Sequence, residues 1–311
     1  MLTDANTAWA KYNGLQSELR IAGWHGLSST ASYTYSHAMD NVSEIYGTTN
    51  GTVPGGGNTL PSAQNPFNTN RAERANSGTD FPNVFGLALI YDLPFYNTQQ
   101  GWLGHLLGGW QFNSTYRYTS GQPYTPVERY ISGSLCDPTA DWGGSYDACR
   151  PILANASAPF ASVGVFSCSG TTASSCSLSN LVTGAPTALS AVHWVQNDPN
   201  AAIYYGTPFA GVGRNFLRGE PISTVNMAFF KNTKITERLT LQFQAQAFNV
   251  LNTMFRGVPD PVLQDAGVIA GGIAKFGSVQ YNDNGGGTFA SNTTTDGIAQ
   301  RHLLFGLKLI F

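Results

Sequence analysis

Apolar residues occupy every second position at the end of the chain: Leu303, Phe305, Leu307, Leu309 and Phe311, while the intervening positions include His302, Gly306 and Lys308. A two-residue period belongs to a β-strand, because successive side chains of a strand point to opposite faces. The same alternation recurs upstream. Leu15, Leu19 and Ile21 alternate with Gln16, Glu18 and Arg20, and a Gly23-Trp24-His25-Gly26 turn leads to Leu27, Ala31, Tyr33 and Tyr35 set against Ser28, Thr30, Ser32, Thr34 and Ser36. Phe85, Leu87, Leu89 and Tyr91 form another greasy stripe, then Trp110, Phe112, Tyr116 and Tyr118 against Gln111, Asn113, Thr115 and Arg117. Val225, Met227 and Phe229 follow, opposed by Thr224, Asn226 and Ala228. A turn through Asn232 to Arg238 precedes Leu239, Leu241, Phe243, Ala245 and Ala247, which face away from Thr240, Gln242, Gln244 and Gln246. The pattern predicts about seven strands, each with one apolar and one polar face.

The connections have their own rhythm. They run short, long, short, long, short, long, so short turns collect on one rim of an antiparallel sheet and the long stretches 38–83, 121–221 and 252–301 on the other. Long loops on one rim and short turns on the other mark outer-membrane barrels, and about ten residues suffice for a tilted strand to cross a bilayer. Aromatics add two belts. Trp24, Tyr91, Trp110 and Phe311 fall near the short-turn rim, and Tyr33, Tyr35, Tyr116 and Tyr118 near the other, as the two interfaces of a bilayer select. The expected fold is therefore all-β, an antiparallel transmembrane β-barrel segment with long extracellular loops, located in the outer membrane. Seven strands are too few to close a bacterial barrel, and open edges in lipid leave backbone groups unpaired at several kcal/mol each. An open arc of a larger barrel is the expectation, or a chain that closes with further copies.

Composition agrees with interleaved faces. Only 11% of the 311 residues are charged, against about 25% in ordinary soluble domains, and mean hydropathy is close to zero. No stretch has the eighteen consecutive apolar residues of a membrane helix. The formal charge of -2 without a basic run gives no footing for nucleic acid. The start, Met-Leu-Thr-Asp-Ala-Asn, has no basic-then-apolar leader, so the protein either stays inside the cell or begins further upstream. Cys136, Cys149, Cys168 and Cys176 lie in one Gly/Ser/Asp-rich stretch without a Cys-x-x-Cys pair, which points to disulfides in an oxidising compartment, with the connectivity open.

Candidate chemistry is sparse. His25, His37, His105, His193 and His302 are scattered and sit in no metal or nucleophile motif. Gly211-Val212-Gly213 lacks the third glycine of a dinucleotide loop, and Asn282-Asp283-Asn284-Gly285 lacks the bidentate Glu of a calcium loop. No catalytic residue, metal ligand or cofactor is expected. The functional candidates are the polar, lumen-facing positions: Gln16, Glu18, Arg20, Gln111, Asn113, Arg117, Asn226, Gln242, Gln244, Gln246 and Lys308. Such residues solvate the wall, bond to a plug, or touch a solute. The loop aromatics Tyr124, Tyr130, Trp142, Tyr146, Trp194, Tyr204 and Tyr205 either stack on a solute or pack the loop onto itself.

Strings between the strands carry a family resemblance. Asn65-Pro66-Phe67-Asn68, Arg71-Ala72-Glu73-Arg74-Ala75-Asn76-Ser77, Tyr91-Asp92-Leu93-Pro94-Phe95 and Ser120-Gly121-Gln122-Pro123-Tyr124 resemble the C-terminal barrel of Oar-like TonB-dependent receptors. So do Gly213-Arg214-Asn215 with Arg218-Gly219, Phe230-Lys231-Asn232 with Ile235-Thr236-Glu237-Arg238-Leu239, Phe248-Asn249-Val250-Leu251-Asn252 and the terminal Gly306 to Phe311. The chain departs from the family at Asp80-Phe81-Pro82-Asn83, where a charged Asp-x-Arg-Arg run is usual. The resemblance implies that residues 1–311 are a C-terminal fragment of a large barrel, with the plug and N-terminal regions absent. It further implies transport rather than catalysis, of a solute too large for porins. The implied partners are membrane lipid, the rest of the barrel and its plug, the energising inner-membrane TonB complex, and the barrel-assembly machinery, which would read Phe305, Leu307, Leu309 and Phe311. Two other readings stay open: a small oligomerising outer-membrane barrel or adhesin, and a secreted carbohydrate-binding β-sandwich.

Overall fold

The computed structural model describes residues 8–41, 64–65, 73–128, 150–253, 259, 261–267, 269–270, 273–274, 276–277 and 301–311. Seven long antiparallel strands form one wall. In chain order they are β1 (Ala10–Trp24), β2 (Leu27–Asp40), β3 (Asn83–Asp92), β4 (Trp110–Thr119), then β5 (Ile222–Lys234), β6 (Thr240–Phe248) and β7 (His302–Ile310). Each pairs with its neighbour in sequence, and the two-residue strand Ala75–Asn76 adds to the far end of β2. Among the described residues, β1 pairs only with β2 and β7 only with β6, so the sheet keeps two open edges.

The registers divide the side chains cleanly. Leu15 faces Tyr35, Tyr33 faces Phe85, Phe85 faces Tyr118 and Leu87 faces Tyr116. Further along the same face, Phe112 opposes Phe229, Phe229 opposes Ala245, and Ala245 opposes Phe305. Opposed residues share a face, so the apolar stripes of the individual strands merge into one continuous apolar surface. Among the described residues no second layer of sheet or helix covers it: Phe305 is 67% exposed, Leu307 71% and Phe311 93%. An apolar surface of this extent needs a non-aqueous solvent. From Leu27 to Tyr35 the strand rises about 27 Å, or about 20 Å after the usual tilt, close to the apolar band of an outer-membrane wall.

Strand ends differ from the sequence expectation in instructive ways. The first turn is tighter than the Gly23-to-Gly26 stretch suggested. β1 continues through Trp24, which pairs with Leu27, and only His25 (φ 48°) and Gly26 (φ 86°) make the turn. Positive φ at both central residues is the hairpin turn whose twist matches the strands it joins. β5 runs past Phe229 to Lys234, because Phe230, Asn232 and Lys234 still find partners on β6. The connection between β3 and β4 contains a helix, α1 (Gly101–Leu107).

The long stretch 121–221, between β4 and β5, is largely folded where it is described. A four-stranded sheet of Ile152–Leu153, Trp194–Val195, Val163–Cys168 and Cys176–Asn180 packs with the helix α2 (Pro199–Tyr205). Pro199 opens α2, Asp198 Oδ1 accepts from Ala201 N at 2.8 Å, and Gly206 (φ 70°) ends it. Among the described residues the buried apolar clusters sit here and against the 252–301 connection, not in the wall. Ile152, Phe166, Val192, Val195 and Ala201 form one, and Val163, Trp194, Leu263, Ala266 and Phe276 another. The molecule thus has two parts with opposite solvent logic: a wall with its apolar side outward, and a loop domain with its apolar side inward.

Candidate functional site

The second face of the wall gathers every lumen-facing candidate. Gln16, Glu18 and Arg20 oppose Thr34, Ser32 and Thr30, which oppose Val84, Gly86 and Ala88 on β3. Gly86 opposes Arg117, Ile90 opposes Asn113 and Asp92 opposes Gln111. Thr115 then opposes Asn226, Ala228 opposes Gln246, Phe230 opposes Gln244, Asn232 opposes Gln242, and Gln242 opposes Lys308. All eleven positions therefore share one face of the sheet. Val84, Ile90, Phe230, Leu304 and Ile310 interrupt it, so the polar face is a mosaic.

Its amides bond along the wall. Gln246 Nε2 donates to Gln244 Oε1 (3.3 Å), Gln244 Nε2 to Gln242 Oε1 (2.6 Å), and Gln242 Nε2 to Asn232 Oδ1 (2.8 Å). Gln111 Nε2 reaches Asp92 Oδ1 at 2.7 Å, Asn226 Nδ2 reaches Thr115 Oγ1 at 3.2 Å, and Arg20 pairs with Glu18. A sheet face of amides and hydroxyls solvates itself without carrying much charge. Such a surface lines water and offers hydroxyl-bearing solutes both donors and acceptors.

At the long-loop rim the wall meets the loop domain through buried charge. Glu73 receives two bonds from Arg150, Nη2 to Oε2 at 2.7 Å and Nη1 to Oε1 at 3.4 Å, and one from the Gln64 backbone N–H at 2.8 Å. Arg214 Nε lies 3.2 Å from the same carboxylate, while its Nη2 donates to the Glu73 carbonyl and to both the carbonyl and carboxylate of Asp40, the last residue of β2. Asp80 is fully buried; it pairs with Arg218, accepts from Ala38 N at 2.6 Å and lies 3.4 Å from His37 Nδ1. Three carboxylates therefore meet three guanidiniums, and each buried charge has a counter-charge, which burial requires.

Three of the strings that carry the family resemblance meet at this cluster: the one ending in Ser77, Ser120 to Tyr124, and Gly213 to Asn215 with Arg218-Gly219. Asn215, in the left-handed region at φ 51°, donates its Nδ2 to Asn76 O at 2.8 Å and its backbone N–H to Thr125 Oγ1 at 2.8 Å. Leu217 and Arg218 pair with Tyr124 and Pro123. Gly121 passes so close to Gly219 that a Cβ there would stand 1.8 Å from the Gly219 carbonyl oxygen. The departure at Asp80-Phe81-Pro82-Asn83 is built into the same place, since Pro82 O accepts from Ser36 N and Asp80 holds Arg218. The strings quoted from the sequence contain Glu73, Asp80, Arg214 and Arg218 without a role for them, and Asp40 and Arg150 stand outside every string. The available signal was their charge, in a chain that carries so little.

Deeper in the loop domain, Glu128 is fully buried and accepts one bond, from Asn197 N at 2.8 Å; Asn197 Nδ2 in turn donates to Arg150 O. Burial pushes the Glu128 carboxyl well above its ordinary value, the Asn197 N–H pulls it partly back, and neighbouring Asp198 raises it further. Asp198 is raised too, chiefly by burial. The loop aromatics pack inward. Trp194 and Tyr124 are buried, Tyr204 stacks on Phe166 at 4.2 Å between centroids, and Tyr205 meets the same ring edge-on. Tyr130, Trp142 and Tyr146 lie outside the described residues, as do Cys136, Cys149 and the stretch Asn282 to Gly285. Cys168 and Cys176 are joined by a disulfide across the end of their hairpin.

The histidines stay apart: His25 in the first turn, His37 beside Asp80, His105 on α1, His193 bonded to the Ala158 carbonyl, His302 at the start of β7. Among the described residues, no three His, Cys, Asp or Glu side chains gather at metal-binding distance. Phe305, Leu307, Leu309 and Phe311 stand exposed on the apolar face.

The wall's two-faced register and the comparison with known families agree. The sequence model of a family described as outer membrane beta barrel domain matches residues 1–288. No curated protein and no solved structure matches the chain. With more than half its length matched, and with a bare apolar face suited to lipid, the chain belongs to the outer membrane beta barrel domain family.

Proposed function

We propose that the chain is a C-terminal arc of the barrel of an outer-membrane TonB-dependent receptor, which captures and imports a solute too large for porins and carries out no catalysis. The observation that carries this reading is the pair of open sheet edges on β1 and β7. In a bilayer each unpaired N–H or C=O costs several kcal/mol, so two open edges amount to tens of kcal/mol that only further strands can remove. A larger barrel supplies them, with the amide face inward and the loop domain outside the cell. The Oar-like strings support the receptor identity, because residues as far apart as Glu73, Tyr124 and Arg218 build one rim structure. The plug, the barrel-assembly machinery and the energising inner-membrane TonB complex complete this scheme as partners.

The test is made in the native host. An antibody against residues 150–221 should detect, in outer membranes, a polypeptide larger than this chain that cross-links to TonB while the inner membrane is energised. A species of this chain's own size, closed as an oligomer and never cross-linked to TonB, would replace the receptor reading with the small-barrel one. A species recovered in the soluble fraction would replace it with the secreted sandwich.

A further inference from the structure

The connection between β3 and β4, residues 93–109, has no role in the scheme above and an unusual composition: it contains no Asp, Glu, Lys or Arg. A turn bathed in water ordinarily carries charge. This one exposes Phe95, Tyr96, Trp102, Leu103, Leu106 and Leu107, with Trp102 74% exposed. The last four stand at spacings of one and four along α1, so they share one side of the helix. Gly104 lies on the other side, buried against the backbone of Gln99.

The helix is fixed in place. Gln99 is buried, its Nε2 donating to Asn232 O at 2.8 Å and its Oε1 accepting from Lys234 N at 3.0 Å. Trp110 Nε1 donates to Leu106 O at 3.0 Å, and Lys231 Nζ donates to Gly108 O while lying 5.7 Å from the centre of the Trp110 ring. Trp110 and Lys231 oppose one another in the register and stand on the apolar face, in the same parity as Phe112 and Phe229. Both side chains reach the helix from that face. The connection therefore leans over the apolar side of the wall, and its greasy side continues the surface that belongs to lipid.

We infer that α1 is an interfacial anchor: it lies along the membrane at the short-turn rim, with Trp102, Leu103, Leu106 and Leu107 sunk among phospholipid headgroups and the first acyl carbons. Lipid is the occupant favoured by continuity with the lipid-facing wall and by the uncharged sequence. An amphipathic helix in this position is buried by its apolar side alone and needs no protein partner. Its effect is to fix how deep the wall sits at β3, β4 and β5, since the helix is bonded to the ends of β4 and β5.

Trp102 is its own reporter. The outer-membrane protein that contains this chain, whichever polypeptide or oligomer that proves to be, is reconstituted in phosphatidylcholine vesicles, and its emission is compared with that of Trp102→Phe. The difference spectrum is the signal of Trp102; the substitution keeps an exposed aromatic and leaves folding untouched. Its emission should be blue-shifted, and quenched about twofold more by acyl chains brominated near the headgroup than near the terminal methyl, as a depth of about 5–10 Å requires. Quenching by aqueous iodide with indifference to brominated lipid would place the helix in water. Resistance to both quenchers would place it under protein. Either result overturns the inference without touching the receptor reading.

Discussion

Replacing Glu73 by Gln is the sharpest perturbation of the rim. The change is nearly isosteric, but it leaves three guanidiniums facing two carboxylates in a region where Arg150 is fully buried and Arg214 almost so. Stranding one member of a buried ion pair costs about 3–5 kcal/mol. At 1.4 kcal/mol per factor of ten, local opening of the loop domain should become about 10²- to 4 × 10³-fold more frequent. Hydrogen exchange read by mass spectrometry is the assay. Amides of the loop-domain strands, and of Asn215 to Arg218, should lose protection by that factor, while amides in the middle of β5 and β6, remote from the cluster, keep theirs. Replacing Arg150 by Met in the same chain removes the stranded charge and should restore most of the protection. A change below tenfold in Glu73→Gln, or no recovery in the double variant, would refute the claim that this ion pair holds the loop domain to the wall.

The two faces of β6 give a paired test: Ala245→Arg puts charge on the lipid side and should cost about 2–4 kcal/mol, while Gln244→Arg, one residue away, is accommodated. Heat-dependent gel mobility of the membrane-inserted protein separates the two. Glu128 makes the loop domain pH-sensitive. Its folded-state value is raised, so the folded form holds the proton more tightly, and stability is full below the ordinary value of 4.5 and declines as pH rises towards the folded value. Protease resistance of residues 150–221 should fall across that range in the parent, and much less in Glu128→Gln, where the raised Asp198 carboxyl still contributes in the same direction. The Cys168–Cys176 bridge closes a short loop, eight residues apart in sequence, and its removal by Cys168→Ala with Cys176→Ala should cost roughly 2–3 kcal/mol of loop-domain stability, read by the same protease assay.

The wall was legible in the sequence because a period of two leaves one choice per residue. Once Leu303, Phe305 and Leu307 point to lipid, Lys308 must point away, and each register agrees with its neighbours. What stayed hidden depends on long-range pairing. Arg214 meets Asp40 across 174 residues and Arg150 meets Glu73 across 77, and neither spacing leaves a periodic trace. The loop domain escaped for a related reason: its strands Ile152–Leu153 and Trp194–Val195 are two residues long, too short to show alternation. The seven residues of α1 cover only two turns, and Gly101 and Gly104 blur them further.

A lone glutamine can turn its amide end for end at little cost, because oxygen and nitrogen are nearly the same size. Along β6 that freedom is gone. Gln246, Gln244, Gln242 and Asn232 form a row in which each amide gives to the next, so none can reverse unless its neighbours reverse with it. Gln244 both gives and receives, and Gln244→Leu would cut the row in half, leaving each end to flip by itself. The wall therefore has a grain: the Gln246 and Gln244 amides each give down β6, and Gln242 hands the bond across to Asn232 on β5.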